Sequence, residues 1–192
     1  MQRSSIWVAG IAVVILVIAT VVLYATRKPS FKGVVLNPPT PAPEISLTDQ
    51  SGQPFTLSSQ RGKVVLLYFG YTNCPDECPS TMAHIKLAVG SLGELSKKIQ
   101  VLMVTTDPAR DDSQALGDFL GKFDPTFLGL LGSDSELQKT YKDYGVVVED
   151  GGETHSYFIY VIDPAGNLRL TFTPDSQPAD IASDVRLLLN GD

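Results

Sequence analysis

The first part of the chain is dominated by an almost unbroken apolar stretch over residues 6–25, in which Thr20 is the only clearly polar residue. At the rise of an α-helix, a stretch of this length covers about 30 Å, the thickness of the hydrocarbon core of a bilayer. A cleaved signal peptide has a shorter apolar core and a small-residue cleavage site behind it. The pattern therefore predicts a retained, single transmembrane helix within an N-terminal anchor over residues 1–28.

Proline is concentrated in the next segment, residues 29–43, which contains five of the 13 prolines in the chain. Such a segment favours extended, polyproline-like conformations. We predict a semi-stiff tether here, followed by a folded domain over residues 44–192. That domain is large enough to bury a core of its own.

Continuous apolar runs predict two strands at the centre of the domain, over residues 64–69 and 99–106. A strand has this composition when both of its faces are covered, as in the interior of a parallel or mixed sheet. Shorter apolar segments at residues 44–48 and 54–57 flank a polar turn that contains glycine. They predict an N-terminal hairpin.

Helical periodicity follows the first of the two central strands. Pro79 suits the first turn of a helix. Apolar side chains then recur at spacings of three and four residues, which predicts one buried helix face. The side chains of this face are Met82, Ile85, Val89 and Leu92.

The rest of the domain alternates between helices and strands. Helices are predicted over residues 111–123, 134–144 and 179–189, and strands over residues 154–162 and 168–173. This order of elements is that of a thioredoxin-like α/β domain, in which helices flank a central mixed sheet.

Charge argues against one class of function. The part of the chain after residue 28 holds all 21 acidic residues but only 12 of the 15 basic ones, which leaves it with a net charge of −9. An acidic domain repels a phosphate backbone, so we expect no nucleic-acid binding.

The candidate chemistry lies in the loop between the first central strand and the helix that follows it. Cys74 and Cys78 are the only cysteines of the chain, and the dipole of the following helix favours their thiolate forms. Thiols four residues apart lie on one helix face, where they suit either a soft metal ion or a reversible disulfide. Of the two histidines, His155 begins a predicted buried strand, whereas His84 is predicted to be solvated.

Three segments together resemble the signatures of the Sco/SenC copper chaperones. The first segment is Tyr68-Phe-Gly-Tyr-Thr-Asn-Cys-Pro-Asp-Glu-Cys-Pro-Ser-Thr-Met82, and the second is Val104-Thr-Thr-Asp-Pro-Ala-Arg-Asp111. The third combines His155-Ser with Tyr160-Val-Ile-Asp-Pro-Ala-Gly166. The segments follow the order of the family and cover essentially the whole folded domain. The resemblance implies a thioredoxin-like fold behind a membrane anchor.

The resemblance also implies the chemistry of the site. Members of the family bind copper through two cysteines and a histidine, which match Cys74, Cys78 and His155 here, and the copper is carried as Cu(I), Cu(II) or both. Asp107 matches a further position, where it is expected to orient a ligand or a partner.

The implied function is that of a metallochaperone rather than an enzyme. Copper would pass from an upstream periplasmic donor to the binuclear copper centre in the copper-binding domain of cytochrome c oxidase subunit II. The implied location is the bacterial cytoplasmic membrane, with the soluble domain on the periplasmic side.

Two other functions occur on the same fold. A thiol–disulfide oxidoreductase would use Cys74 and Cys78 as a redox pair that keeps the copper-ligand cysteines of the oxidase reduced. Thioredoxins, however, have a Cys-x2-Cys spacing, and they have a proline where residues 154–156 lie in this chain. A peroxidase would need a Thr-x2-Cys motif with an arginine nearby, whereas Thr72 stands only two residues before Cys74. Copper retention would separate the chaperone from both enzymes.

Overall fold

The computed structural model describes residues 15–20, 30–149 and 154–191 of the chain. The chain divides into two compact units, Met1–Ser30 and Phe31–Asp192. The second unit contains the cysteines and all of the strands described below.

The predicted transmembrane helix over residues 6–25 falls mostly outside the described residues. Residues 15–20 are helical. No helix in the described part of the chain is both long enough and apolar enough to cross a bilayer.

The second unit is built on an eight-stranded mixed sheet, and a separate two-stranded sheet accompanies it. In chain order the strands are β1 (Val34–Pro41), β2 (Ser46–Asp49), β3 (Pro54–Thr56), β4 (Val64–Gly70), β5 (Ile99–Thr105), β6 (Leu128–Leu131), β7 (Val148–Glu149), β8 (Thr154–His155), β9 (Ile159–Ile162) and β10 (Asn167–Phe172).

The large sheet has the strand order β1-β10-β9-β4-β5-β6-β2-β3. Its central strand, β4, is parallel to β5 and antiparallel to β9, so that Leu66 stands opposite Val101 on one side and Val161 on the other. β5 is also parallel to β6, and parallel neighbours need crossover connections, which helices supply. The predicted mixed sheet is confirmed, and so is the N-terminal hairpin, which consists of β2 and β3.

Helices precede or follow the central strands of the sheet, and local hydrogen bonds define where they begin and end. The side chain of Asp112 accepts a hydrogen bond from the N–H of Ala115 at the start of the helix Ser113–Gly121. Gly145, with a φ of 66°, ends the helix Asp134–Tyr144. A positive φ favours glycine because it has no Cβ. The four α-helices of this unit in the described residues are α1 (Glu77–Gly90), α2 (Ser113–Gly121), α3 (Asp134–Tyr144) and α4 (Pro178–Asn190), and two short 3-10 helices cover Leu57–Gln60 and Gly93–Lys98.

β4 divides the core into two parts, because alternate side chains of a strand point to opposite faces of a sheet. Leu66 and Tyr68 belong to a cluster that includes residues of α1 and α4 and both cysteines. Leu67 and Phe69 belong to the cluster on the other face, where the ring of Phe69 lies edge-on to that of Tyr141. Every residue of β4 is buried, as its continuous apolar sequence predicts.

Most of the proline-rich segment is not the semi-stiff tether predicted for residues 29–43. Val34–Pro41 forms β1, which pairs with β10 at the edge of the large sheet. Proline is tolerated there because an edge strand has one side without ladder hydrogen bonds, and the register shifts between Val35 and Thr40. The compact domain therefore begins at Phe31 rather than at residue 44.

The single long strand predicted over residues 154–162 is also wrong. Thr154–His155 pairs with β7 in the small sheet, and only Ile159–Ile162 pairs with β4 in the large one. The change of partner occurs at residues 156–158, inside an uninterrupted run of strand-forming residues, so local hydrophobicity does not indicate it. β6 and β7 are two further strands that the sequence pattern did not predict.

Asp184 of α4 ties the start of the domain to that helix. Its side chain is buried, and Oδ2 accepts hydrogen bonds from the backbone N–H groups of Lys32 and Gly33, at 2.8 and 2.9 Å. A buried donor that loses its partner costs about 1–3 kcal/mol. We therefore expect Asp184→Ala to lower the free energy of unfolding in urea by about 2–4 kcal/mol. Asp180→Ala in the same helix is the control, with an expected loss below about 1 kcal/mol; equal losses would contradict this role of Asp184.

Candidate metal centre

The cysteine loop runs from the end of β4 into the first turn of α1. Cys78 is the second residue of α1, and its backbone N–H donates a hydrogen bond of 3.2 Å to the sulfur of Cys74. The N–H groups in the first turn of a helix have no partner within the helix, and the sulfur of Cys74 accepts one of them. The two cysteines are therefore held together at the positive end of the helix dipole.

Cys78 forms the floor of this site. Its side chain is fully buried, and the hydroxyl of Tyr68 donates a hydrogen bond of 3.6 Å to its sulfur. β4 ends so close by that a Cβ added to Gly70 would lie 3.0 Å from the same sulfur. Burial raises the pKa of Cys78 to about 12, and a hydrogen bond from the backbone of Tyr71 opposes this only in part. In the metal-free protein, Cys78 is therefore a neutral thiol at neutral pH.

Two tyrosines border the thiols. The pKa of Tyr71 is raised to about 12, mainly by burial and next by the proximity of Cys74. The pKa of Tyr157 is also raised, mainly by burial and next by the proximity of Cys74 and Cys78. Tyr157 packs against the buried cluster that contains both cysteines, and it lines a surface cleft together with Glu77. It therefore brings the segment shortly after His155 close to the cysteine loop.

The third predicted ligand, His155, has its backbone in β8, opposite Val148 of β7. In the part of the chain that the structure describes, no three side chains of His, Cys, Asp or Glu form a group that could hold a metal ion. The ligand set of Cys74, Cys78 and His155 therefore stays a prediction.

Asp107, the predicted orienting residue, is buried just beyond the end of β5. Its carboxylate forms an ion pair with Arg110. The guanidinium carbon of Arg110 lies 5.9 Å from the centre of the Tyr71 ring. Asp107 is thus linked to the cysteine loop through Arg110 and Tyr71, and its role in orienting a ligand or partner stays a prediction.

Asp111 is the carboxylate that contacts the cysteine loop directly. It is buried, and it accepts hydrogen bonds of 2.6 Å from the hydroxyls of both Thr72 and Thr105. Its one signal in the sequence is its place at the end of the segment 104–111, where nothing distinguishes it from Asp107. Only the parallel pairing of β4 with β5 brings the ends of these two strands together.

A surface cleft of about 560 Å³ lies beside the start of α1. Glu77, the residue before Cys78, lines the cleft together with Phe158 and Pro174.

The prediction that His84 is solvated is only partly correct, because the residue is half-buried and its Nδ1 lies 3.2 Å from the carbonyl oxygen of Pro174.

Comparison with known proteins identifies the family, since residues 37–190 match the family described as SCO1/SenC. The chain belongs to the SCO1/SenC family. The structure of Bradyrhizobium japonicum ScoI with copper bound is 31% identical, with a TM-score of 0.72 over 78% of this chain and 100% of that one. The solution structures of apo Sco1 from Thermus thermophilus are 33% identical, with a TM-score of 0.74 over 83% of this chain and 98% of that one. These likenesses confirm the predicted thioredoxin-like α/β fold.

A relative in yeast extends the comparison to mitochondria. Protein SCO2, mitochondrial, of Saccharomyces cerevisiae is 36% identical over 132 residues, which are 64% of this chain and 44% of the yeast protein. This chain thus spans less than half of the length of that relative.

The close approach of β4 to the site predicts a specific sensitivity at Gly70. A Cβ there would lie 2.6 Å from Cε1 of Tyr68 as well as 3.0 Å from the sulfur of Cys78. We expect Gly70→Ala to lower the free energy of unfolding by about 1–3 kcal/mol, since an overpacked core forces its neighbours to move. It should also change the rate at which iodoacetamide labels the two thiols.

Gly90→Ala is the matched control for this substitution. Apart from its chain neighbours and the backbone of its own helix, no atom of the described residues would lie within 4 Å of a Cβ at Gly90, the last residue of α1. Alanine favours a helix over glycine by up to about 1 kcal/mol, so this variant should be as stable as the parent chain or more so. The same labelling rates in Gly70→Ala and Gly90→Ala would contradict the close contact with the sulfur.

The raised pKa of Cys78 predicts a loss of stability at alkaline pH. The thiol has an ordinary pKa of 9.0, which applies in the unfolded chain, and a pKa of about 12 in the fold. Its contribution to stability is therefore complete below the first value and is lost as the pH rises towards the second. For the reduced, metal-free protein, the free energy of unfolding should fall more steeply in this range than for Cys78→Ala, by up to about 1.4 kcal/mol per pH unit. Urea denaturation at several pH values measures both slopes, and parallel slopes would contradict the prediction.

Proposed function

We propose that this protein is a copper chaperone for the assembly of cytochrome c oxidase. In this proposal, Cys74, Cys78 and His155 bind copper, and the protein delivers it to the binuclear copper centre of subunit II. One observation carries the proposal: this chain, which belongs to the SCO1/SenC family, holds two buried thiols side by side at the start of α1. The copper-bound structure of the related ScoI supports it.

The donor set suits copper as a cargo. Thiolate sulfur is a soft ligand that favours Cu(I), and imidazole nitrogen binds either oxidation state of copper. Burial holds a proton on Cys78, and copper has to displace that proton when it binds. The affinity of the protein for copper should therefore rise with pH. Three protein donors also leave a coordination position free for a ligand of the acceptor, which a transfer requires.

The proposed partners and location follow from this function. The acceptor is the copper-binding domain of oxidase subunit II, and the donor is an upstream periplasmic copper protein. The apolar stretch over residues 6–25 anchors the chain in the bacterial cytoplasmic membrane, with the domain on the periplasmic side. The net charge of −9 after residue 28 favours partner surfaces that are basic.

A second candidate function is thiol–disulfide exchange with the copper-ligand cysteines of the oxidase. The contact between the N–H of Cys78 and the sulfur of Cys74, both of them free cysteines, favours it. In this reaction Cys74 and Cys78 lose two electrons and two protons to become a disulfide, and a disulfide of the partner is reduced to two thiols. Both functions use the same sulfurs, and copper retention distinguishes them.

Copper stoichiometry and affinity by competition with a chelator test the proposal on the full-length protein. We expect one copper per chain, and we expect His155→Ala to weaken its binding about 100-fold because one of three donors is lost. His84→Ala removes the other histidine and is the matched control, so its affinity should stay within about threefold of that of the parent chain.

Each other outcome has a definite meaning. Tight binding that is the same in His155→Ala would leave a site of two thiolates and overturn the role of the histidine as a ligand. A protein that retains no copper, but in which the Cys74–Cys78 disulfide forms and is reduced readily, would instead have thiol–disulfide exchange as its function.

A further inference from the structure

Three side chains, those of Thr72, Thr105 and Asp111, join the end of β4 to the end of β5, and we name this cluster the Asp111 clasp. Oδ1 of Asp111 accepts a hydrogen bond of 2.6 Å from the hydroxyl of Thr72, and Oδ2 accepts one of 2.6 Å from the hydroxyl of Thr105. The backbone N–H of Thr72 also donates to Oδ1, at 3.2 Å. Hydrogen bonds to a carboxylate are stronger than those between neutral groups. The clasp therefore fixes a residue only two positions before Cys74.

The clasp continues the attachment of the two strands beyond the sheet. The parallel pairing of β4 and β5 ends at Gly70 and Thr105, and one more backbone hydrogen bond follows, from the N–H of Thr106 to the carbonyl of Gly70 at 2.9 Å. A turn brings Asp111 back to this point, since its N–H donates to the carbonyl of Asp107, also at 2.9 Å. The side chains of the clasp thus extend the contact from the strand ends into the cysteine loop.

The position of the carboxylate is determined from several directions. Asp111 is 4% exposed and Thr105 is 0% exposed, whereas Thr72 is half-buried. The hydroxyl oxygen of Thr105 accepts a hydrogen bond of 3.0 Å from the N–H of Asp107, and the carbonyl of Thr105 accepts one of 2.5 Å from the hydroxyl of Tyr141. A buried carboxylate needs its hydrogen bonds. Thr72, at the exposed side of the cluster, is therefore held by a group that is itself fixed.

We propose that Asp111 is a positioning residue for the cysteine pair. Through Thr72 it holds the loop so that the sulfur of Cys74 stays at the start of α1, next to Cys78. For copper, this proposal rests on the proposed function. For the two thiols it applies whether or not copper binds.

The physical reason is the cost of ordering a loop. A loop that is already ordered does not have to lose conformational freedom when two sulfurs close on a metal ion or on each other. Removing a contact of the clasp should therefore weaken both the binding of copper and the Cys74–Cys78 disulfide. A residue that served stability alone would change neither of them in the folded protein.

The test compares two substitutions of Thr72 with a matched control. Thr72→Val removes the hydroxyl at nearly constant volume, and Thr72→Ser keeps the hydroxyl. Thr126→Val is the control, because the hydroxyl and N–H of Thr126 donate to the carboxylate of Asp124 at 2.6 and 2.8 Å, just before β6. It removes the same kind of hydrogen bond from a different part of the fold.

Each full-length variant is measured in two ways. The first is the affinity for Cu(I) by competition with a chelator. The second is the equilibrium with glutathione, in which Cys74 and Cys78 lose two electrons and two protons to form a disulfide while glutathione disulfide is reduced to two glutathione molecules. We expect Thr72→Val to weaken Cu(I) binding about tenfold and to shift the equilibrium about tenfold towards the dithiol. Thr72→Ser and Thr126→Val should stay within about threefold of the parent chain in both.

Several results would overturn the proposal. One is a Thr72→Val variant that matches the parent chain in the glutathione equilibrium, and another is a Thr126→Val variant that changes as much as Thr72→Val. A parent chain that binds no copper would contradict the proposed function, but the glutathione equilibrium would still decide the role of Asp111. If circular dichroism shows that Thr72→Val does not fold, Asp111→Asn takes its place. The same change in equilibrium is then expected, and an unchanged equilibrium overturns the proposal.

Discussion

The complete burial of β4 is the constraint on which the rest of the structure depends. A strand in the middle of a sheet must pair its backbone on both edges and cover both faces. β4 meets these conditions through β5, β9 and the two core clusters. Its last residue, Gly70, is thereby fixed between the end of β5 and the first turn of α1. The cysteine loop begins at a point that the packing of the whole domain has already determined.

Two of the buried carboxylates of the domain lie at this end of the sheet. Asp107 and Asp111 follow β5, and each carboxylate has its own partners, an arginine in one case and two threonines in the other. The sulfur of Cys78 has as neighbours the hydroxyl of Tyr68 and the backbone of β4. The buried negative charges are therefore bound to other groups, and the sulfurs lie in surroundings of low polarity. Such surroundings suit a soft metal ion and keep Cys78 protonated when no metal is bound.

The parts of this fold that the sequence predicts are those with a strong local pattern. β4 is continuously apolar, and α3 has clear ends in the cap of Ser133 and in Gly145, so both were predictable with their boundaries. β1 was not, because its prolines favour a tether and its pairing with β10 is a tertiary contact across the whole domain. The cysteine pair was evident from composition and spacing. Asp111 was not, because its importance depends on a hydrogen bond with Thr72, which lies 39 residues away along the chain.

The two cysteines are not equivalent, because Cys74 retains 8% of its exposure and Cys78 retains none. A thiol or a metal ion that arrives from outside therefore meets Cys74 first and reaches Cys78 only afterwards. For either proposed function, the depth of the two sulfurs would give an exchange at this site a sequence of steps. The same order would hold for a metal ion and for a disulfide, since it is a property of the fold and not of the cargo.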